Sequence, residues 1–264
     1  MISQIGQIWQ IGGLAILGLS VGSFLNVLVW RLDDEKAPKF WQGRSMCPKC
    51  KHPLSWRDNI PLLSFVLLSG RCRFCRKPIS WQYPVVELAT VVVTVIVGFG
   101  WLGSLGWLGV LGVLVIAWAF IVIFFADFLY GLIPDEMEVV IVGAALALKI
   151  SQIGQIGLIG QIWSDGVAGL VSGLAFLAIV VATRFRGMGL GDVKLAFVMG
   201  FLLGFPKVLV AFWFAFILGG VYALFLLGLR RKKIHDTIAL GPFLVIGVAI
   251  AAGWSGQLLQ LIGL

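Results

Sequence analysis

The feature that most constrains this chain is a succession of apolar runs, most of them near the roughly 20 residues that a helix needs to cross a bilayer. They fall at residues 8–30, 84–103, 107–126, 137–150, 166–183, 195–204, 208–229 and 239–262. In lipid every backbone polar group must be satisfied within its own segment, so such runs have to be helices. The run 195–204 is too short to cross alone, and short glycine-interrupted segments beside chemistry are often broken or re-entrant helices. Of the 264 residues, 60% are hydrophobic and 12% charged, against roughly a quarter charged in soluble domains. That balance excludes a soluble enzyme, a disordered chain and a collagen-like fibre. The expected architecture is an all-α polytopic membrane protein of about eight transmembrane helices. Its expected domains are a first helix at 1–30, a cytoplasmic loop domain at 31–83 and a membrane domain of about seven helices at 84–264.

The formal net charge is +8, which suggests a nucleic acid or anionic surface until the charges are located. Arg31, Lys36, Lys39, Arg44, Lys49, Lys51, Arg57, Arg71, Arg73, Arg76 and Lys77 all lie in the loop after the first apolar run. Arg184, Arg186 and Lys194 form a second cluster, and Arg230, Arg231, Lys232 and Lys233 a third. Only Lys149 and Lys207 fall elsewhere. With eight crossings and the first running outside to inside, all three clusters face the cytoplasm and both chain ends lie outside. This count needs the short sixth run to cross. The basic residues then mark topology and meet membrane lipid, and no nucleic-acid partner is expected. The first run lacks a basic region before it and a small-residue cleavage site after it, so it is expected to be retained. Residues 3–8 recur at 151–156, and Gly-Gln-Ile-Trp occurs at 6–9 and 160–163. Both copies fall on the outer side, where Trp9 and Trp163 suit the headgroup level.

All four cysteines lie in the basic loop, as Cys47-Pro-Lys-Cys50 and Cys72-Arg-Phe-Cys75 with 21 residues between the pairs. Two such knuckles place four thiolates around one tetrahedral Zn²⁺. A reducing cytoplasmic loop disfavours disulfides, and the neighbouring Lys and Arg favour thiolates. Four thiolates leave no open coordination position, so the metal is expected to be structural. His52 is an alternative ligand, or a solvated loop histidine. An iron–sulfur site or free thiols are the other readings.

Acids in or beside membrane spans are expensive and commonly functional. Asp33, Asp34, Glu35 and Asp58 lie in the loop and require no special account; Asp165 and Asp236 are junction residues, caps or solvated charges. Asp127 closes the third run, and Asp192 sits in Gly187-Met-Gly-Leu-Gly-Asp192 between the fifth and sixth. The topology puts these two at the same inner membrane boundary. Two carboxyls sharing a site repel, so one keeps a proton while the other is ionised. Such a pair can activate water and protonate a scissile carbonyl without a covalent intermediate. A bland reading makes them interfacial caps, or pairs Asp192 with Lys194. Glu87 is a helix-start anion or a site residue, Asn26 an interhelical hydrogen-bonding residue, and Glu136 and Glu138 helix-start acids of the fourth span.

Taken together, these segments resemble the type IV prepilin leader peptidases, membrane aspartic proteases with a Gly-x-Gly-Asp motif. The resemblance is carried by Gly22-Ser-Phe-Leu-Asn-Val27, Arg44-Ser-Met-Cys-Pro-Lys-Cys50, His52-Pro-Leu54, Asn59-Ile-Pro-Leu62, Gly70-Arg-Cys72 and Tyr83-Pro-Val-Val-Glu87. It continues through Asp127 with Ile133-Pro-Asp135, Gly189-Leu-Gly-Asp192-Val-Lys194 and Gly241-Pro-Phe243. By resemblance, Asp127 and Asp192 are the catalytic pair, and Asp135 shares the first motif without a catalytic role. The residues 128–132 are more apolar than that family's pattern leads one to expect. The resemblance implies substrates that are prepilins and pseudopilins, cut after a glycine at the cytoplasmic face of the inner membrane. It also implies N-methylation of the new terminus with S-adenosylmethionine, although no glycine-rich Rossmann loop is present. The competing expectations are a transporter with membrane-edge carboxylates, a peptidase that only cleaves, and a non-catalytic zinc-loop scaffold.

Overall fold

The computed structural model describes residues 2–33, 45–151, 158–184, 187–229 and 238–262. Outside them lie Lys36, Lys39, Arg44, Arg186, the third basic cluster Arg230–Lys233, the acids Asp34, Glu35 and Asp236, and residues 152–156 of the second repeat. Among the described residues the regular structure is helical, with two isolated β-bridges at Met46–Pro53 and Arg71–Pro78. The helices are α1 (Ile2–Asp33), α2 (Leu63–Leu67), α3 (Gln82–Tyr130), α4 (Asp135–Ser151), α5 (Leu158–Ala182), α6 (Leu190–Leu203), α7 (Lys207–Gly228) and α8 (Gly241–Ile262). A single 3-10 turn, Trp56–Asn59, precedes α2. The second and third apolar runs are the two limbs of α3, which breaks at Gly106 with φ 66° and ψ 176°. A left-handed φ is cheap there because glycine has no Cβ to clash.

Five described helical segments are long and apolar enough to cross a membrane: Gly6–Leu32, Gln82–Trp101, Leu105–Tyr130, Gly160–Ala182 and Lys207–Gly228. The chain is therefore a multi-pass membrane protein, with five such segments among the described residues and α4, α6 and α8 as further apolar helices. At about 1.5 Å per residue, the 14 residues of α6 rise about 21 Å, short of the ~30 Å hydrocarbon core. The 17 residues of α4 rise about 26 Å. Helix α6 gains protein neighbours instead of lipid: it packs on α4, α5, α7 and α8, and Leu195, Ala196, Val198, Met199, Gly200 and Phe201 are buried.

The chain divides into two compact units, Met1–Val122 and Ile123–Leu264. In the first, α1 meets the first limb of α3 through two glycines four residues apart. A Cβ on Gly18 would stand 2.7 Å from Val91 Cα, and one on Gly22 2.8 Å from Glu87 Cα. Spacing of four puts both on one helix face, the small-residue seam that lets membrane helices approach backbone to backbone. Asn26 Nδ2 donates to the Tyr83 carbonyl at 3.0 Å, so the expected interhelical bond is present. Thr90 and Thr94 bond back to Val86 and Thr90 carbonyls, and Trp118 Nε1 donates to Thr94 Oγ1 across the Gly106 break.

In the second unit α5 and α6 close on glycines as well. A Cβ on Gly200 would fall 2.6 Å from the Ala168 carbonyl oxygen and 2.7 Å from Gly169 Cα. Gly204, at φ 68°, ends α6, and Asp165 packs against it. Asp165 is only 8% exposed and accepts from Lys149 Nζ, so it is a buried ion-pair partner, not a solvated junction charge. Pairing is what makes the burial of both charges tolerable.

Candidate active site

Asp127 sits one turn before the end of α3, where Gly131, at φ 66°, donates its N–H to the Asp127 carbonyl at 2.9 Å. The apolar run ends there because glycine supplies the left-handed residue that closes a helix. The Asp127 side chain is 6% exposed, and its Oδ2 accepts the Gly241 N–H at 2.8 Å from the start of α8. Asp192 is the third residue of α6, and its Oδ2 accepts the Gly189 N–H at 3.0 Å. That bond is one half of a capping box; Gly189 has no side chain to complete the other.

Both carboxyls line one cavity of about 820 Å³ in the second unit, shared with Gly187, Met188, Tyr222 and Phe243. Glycine makes the approach possible: a Cβ on Gly191 would lie 3.2 Å from Ile133 Cβ, and one on Gly241 2.6 Å from Asp127 Oδ2. Lys194 does not pair with Asp192. Its Nζ donates to both oxygens of Asp135 at 2.8 Å, an exposed pair that contributes little energy but tethers the Ile133-Pro-Asp135 segment to α6. Glu136 and Glu138 lie in the first turn of α4 as expected of helix-start acids. Glu138, however, is buried, with Oε1 unpartnered, beside an apolar cavity of about 600 Å³ walled by α4, α5 and α6.

In the first unit the four cysteines converge, all four Sγ atoms lying within 4.8 Å of one another. The two knuckles share one hydrogen-bond plan. Cys47 N–H donates to the His52 carbonyl and Lys51 N–H back to Cys47; Cys72 N–H donates to the Lys77 carbonyl and Arg76 N–H back to Cys72. Leu54 to Ser45 and Ile79 to Gly70 close each knuckle in the same way. Lys51 and Arg76 both take positive φ, 58° and 57°, at the equivalent turn of each. Tetrahedral coordination at about 2.3 Å per Zn–S bond puts sulfurs about 3.8 Å apart, which these four reach with small side-chain rotations. His52 stands outside the cluster, its ring 3.6 Å from that of Phe74.

Asp58, which the sequence left without a role, ties this loop together. Its Oδ2 accepts the Ser55 hydroxyl at 2.6 Å, and its Oδ1 accepts Arg73 Nε of the second knuckle at 2.8 Å. The Ser55 hydroxyl first, and Arg73 beside it, hold the Asp58 carboxyl below the usual carboxylate range. Glu87 is buried, and its Oε2 accepts the Leu62 N–H at 2.8 Å.

A family model described as the bacterial peptidase A24 N-terminal domain matches residues 16–101, and one described as the type IV leader peptidase family matches residues 114–224. A protein of Aeromonas salmonicida is 31% identical over 92% of this chain and 90% of its own length. One from Pectobacterium carotovorum is 31% identical over 93% of each chain. The chain belongs to the type IV leader peptidase family. Both of these relatives, and one from Bacillus subtilis that is 29% identical over 90% of the chain, are named prepilin leader peptidase/N-methyltransferase. No solved structure matches the chain.

Some features of this family member went unread in the sequence. Gly241 was visible only as part of a motif; its role emerges when α8 is seen to offer its first N–H to Asp127. The Gly18 and Gly22 seam had a readable signal in its spacing of four. Asp58 had none, since its partners Ser55 and Arg73 meet it only through the fold of the loop.

Proposed function

We propose that this protein is a bifunctional membrane aspartic endopeptidase. It cleaves the leaders of prepilins and pseudopilins after a glycine and then N-methylates the new terminus with S-adenosylmethionine. The observation that carries the reading is the meeting of Asp127 and Asp192, from separate motifs, in one cavity. Of two carboxyls so placed, the ionised one takes a proton from water as the oxygen attacks the scissile carbonyl. The protonated one donates to the carbonyl oxygen. Collapse of the tetrahedral adduct returns a proton to the leaving amine and restores the pair, whose titration belongs to both groups together. The Gly241 and Gly189 amides orient the two carboxyls for this work.

Cys47, Cys50, Cys72 and Cys75 hold a structural Zn²⁺ that clamps the two knuckles of the loop domain 31–83 together. The loop faces the cytoplasm and the chain sits in the bacterial inner membrane, as the clustering of basic residues demands. A prepilin with a basic leader inside and an apolar stem in the bilayer brings its junction to the inner boundary, the depth at which the topology puts both aspartates. A transporter reading asks for charges at mid-bilayer and is disfavoured by the relatives' names, as is a peptidase without methyl transfer.

The test is cleavage of a purified prepilin by Asp127→Asn and Asp192→Asn in detergent or nanodiscs, with products weighed by mass spectrometry. Each variant should lose at least about a hundredfold, the lower end of what a positioned acid or base supplies. Full processing by both would refute the assignment.

A further inference from the structure

We infer that the groove between α4 and α5 seats the apolar stem of the substrate, and that Glu138 caps the first turn of that stem. The inference rests on the peptidase half of the proposed function and says how that site takes hold of its substrate. Helices α4 and α5 both pack on α6 far more than on each other, which leaves a cleft of about 600 Å³ with α6 as its floor. Its walls are single helix faces. Glu138, Val142 and Leu146 recur every four residues on α4, and Leu170, Leu174 and Leu177 recur at helical spacing on α5.

Two contacts fix the direction of the groove. Lys194 meets Asp135 where α6 and α4 begin, and Lys149 Nζ stands 5.7 Å from the centroid of the Phe201 ring near the end of both. The two helices therefore run side by side in the same direction. The groove starts at Glu138 and Val193, the residue after Asp192, and runs toward Leu146 and Val198. Lys194 borders both this groove and the cavity that holds Asp127 and Asp192. From Glu138 to Leu146 the wall rises about 12 Å, at about 1.5 Å per residue, room for about two turns of an occupying helix. The space beside the α4 wall is open: a Cβ on Gly143 would meet nothing within 4 Å.

Apolar walls alone would suit lipid, so Glu138 is what selects the occupant. It is 6% exposed, and its Oε1 is buried with no hydrogen-bond partner among the described residues. The neighbouring ammonium of Lys194 is spent on both oxygens of Asp135. A buried acceptor left alone is costly, and an acyl chain brings no donor to relieve it. A substrate stem does. An apolar stem in the bilayer has to be a helix, and it begins just after the cut. The first four N–H groups of a helix have no partner within it, and they carry the positive end of the helix dipole. A carboxyl at the mouth of the groove meets those donors with the acceptor they lack.

The experiment compares two substrates of the purified full-length protein in nanodiscs: a prepilin with its stem, and a leader peptide that stops a few residues past the cut. Glu138→Leu removes the capping acceptor, and Gly143→Leu fills the groove from an open position. Each should raise KM for the stemmed prepilin about tenfold, through a lost helix cap in the first and displaced apolar contact in the second. KM for the short peptide should rise far less, and the ratio of the two KM values is the readout, because ground and transition states share the binding of the stem. Glu138→Leu should also melt at or above wild type, since it removes a buried polar group that has no partner. Benzoylphenylalanine in place of Leu174 should crosslink to the prepilin stem under ultraviolet light. An unchanged ratio in both variants, a lower melting temperature for Glu138→Leu, or crosslinks to lipid alone would overturn the groove while leaving the peptidase intact. If the wild-type protein leaves the prepilin uncut, the peptidase reading falls and this site with it.

Discussion

Gly241→Ala is a sharp probe of the aspartate pair because it alters neither carboxyl chemically. Gly241 is used here for close approach: a Cβ at this position would stand 2.6 Å from Asp127 Oδ2, 3.0 Å from its Cγ and 3.1 Å from its Cβ. Ordinary carbon–oxygen contact begins at about 3.4 Å, so the carboxylate must retreat by about 0.8 Å or lose the 2.8 Å bond from the Gly241 amide. A displacement near 1 Å from productive geometry costs up to about a hundredfold in rate. Loss of the orienting bond adds about 0.5–1.5 kcal/mol, close to a further factor of ten at its upper end. The expectation is a kcat for prepilin cleavage reduced about 10- to 1,000-fold with KM little changed, because the substitution displaces the Asp127 carboxylate and leaves the rest of the site in place. Cleavage is followed by mass spectrometry across a substrate series, with a melting curve to verify that the variant is folded. A folded Gly241→Ala protein with kcat within twofold of wild type would refute the argument that this amide positions Asp127.

Cys47→Ser should lower zinc, measured by atomic emission, from about one per chain to well below that, since a hydroxyl is a poor replacement for one of four thiolates. Unchanged stoichiometry would contradict a four-cysteine site. The Asp58 carboxylate, held low by Ser55 and Arg73, contributes stability above its unfolded pKa of about 4. That stability is lost as pH falls through its lower folded pKa. Melting of Asp58→Asn should therefore lie below wild type near pH 7, with the gap narrowing on acidification; a widening gap would reverse the sign. Gly200→Ala forces a methyl group against the Ala168 carbonyl, Gly169 and Ser172 and should cost about 1–3 kcal/mol by overpacking. That is a few degrees in melting temperature, and an unchanged melt would show that α5 and α6 are free to separate there.

The positions of the membrane helices were legible because burial in lipid demands long apolar runs, and a run of that length leaves little else for the backbone to do. The cysteine cluster was legible because a knuckle is local: four residues set two sulfurs, and only the meeting of the two pairs is non-local. The limits lay in the short helices. Leu195, Ala196, Val198, Met199 and Phe201 of α6 are buried among protein neighbours, so its composition reads as a crossing although the helix is short. Hydropathy cannot distinguish burial in lipid from burial among α4, α5, α7 and α8. Lys194 shows the same limit for charges. Its nearest acid in sequence is Asp192, two residues away, yet on a helix residues two apart do not face each other, and Asp135 from α4 takes the ion pair.

By itself the sequence determined the class of fold, the clustering of four cysteines and the two acids worth testing, because each depends on residue type and local spacing. Tertiary structure alone decided which amides meet those acids and that Asp58 knits the knuckles. These are contacts between segments up to 114 residues apart. A hydrogen bond is fixed by where two backbones come to rest, and no single segment carries that information.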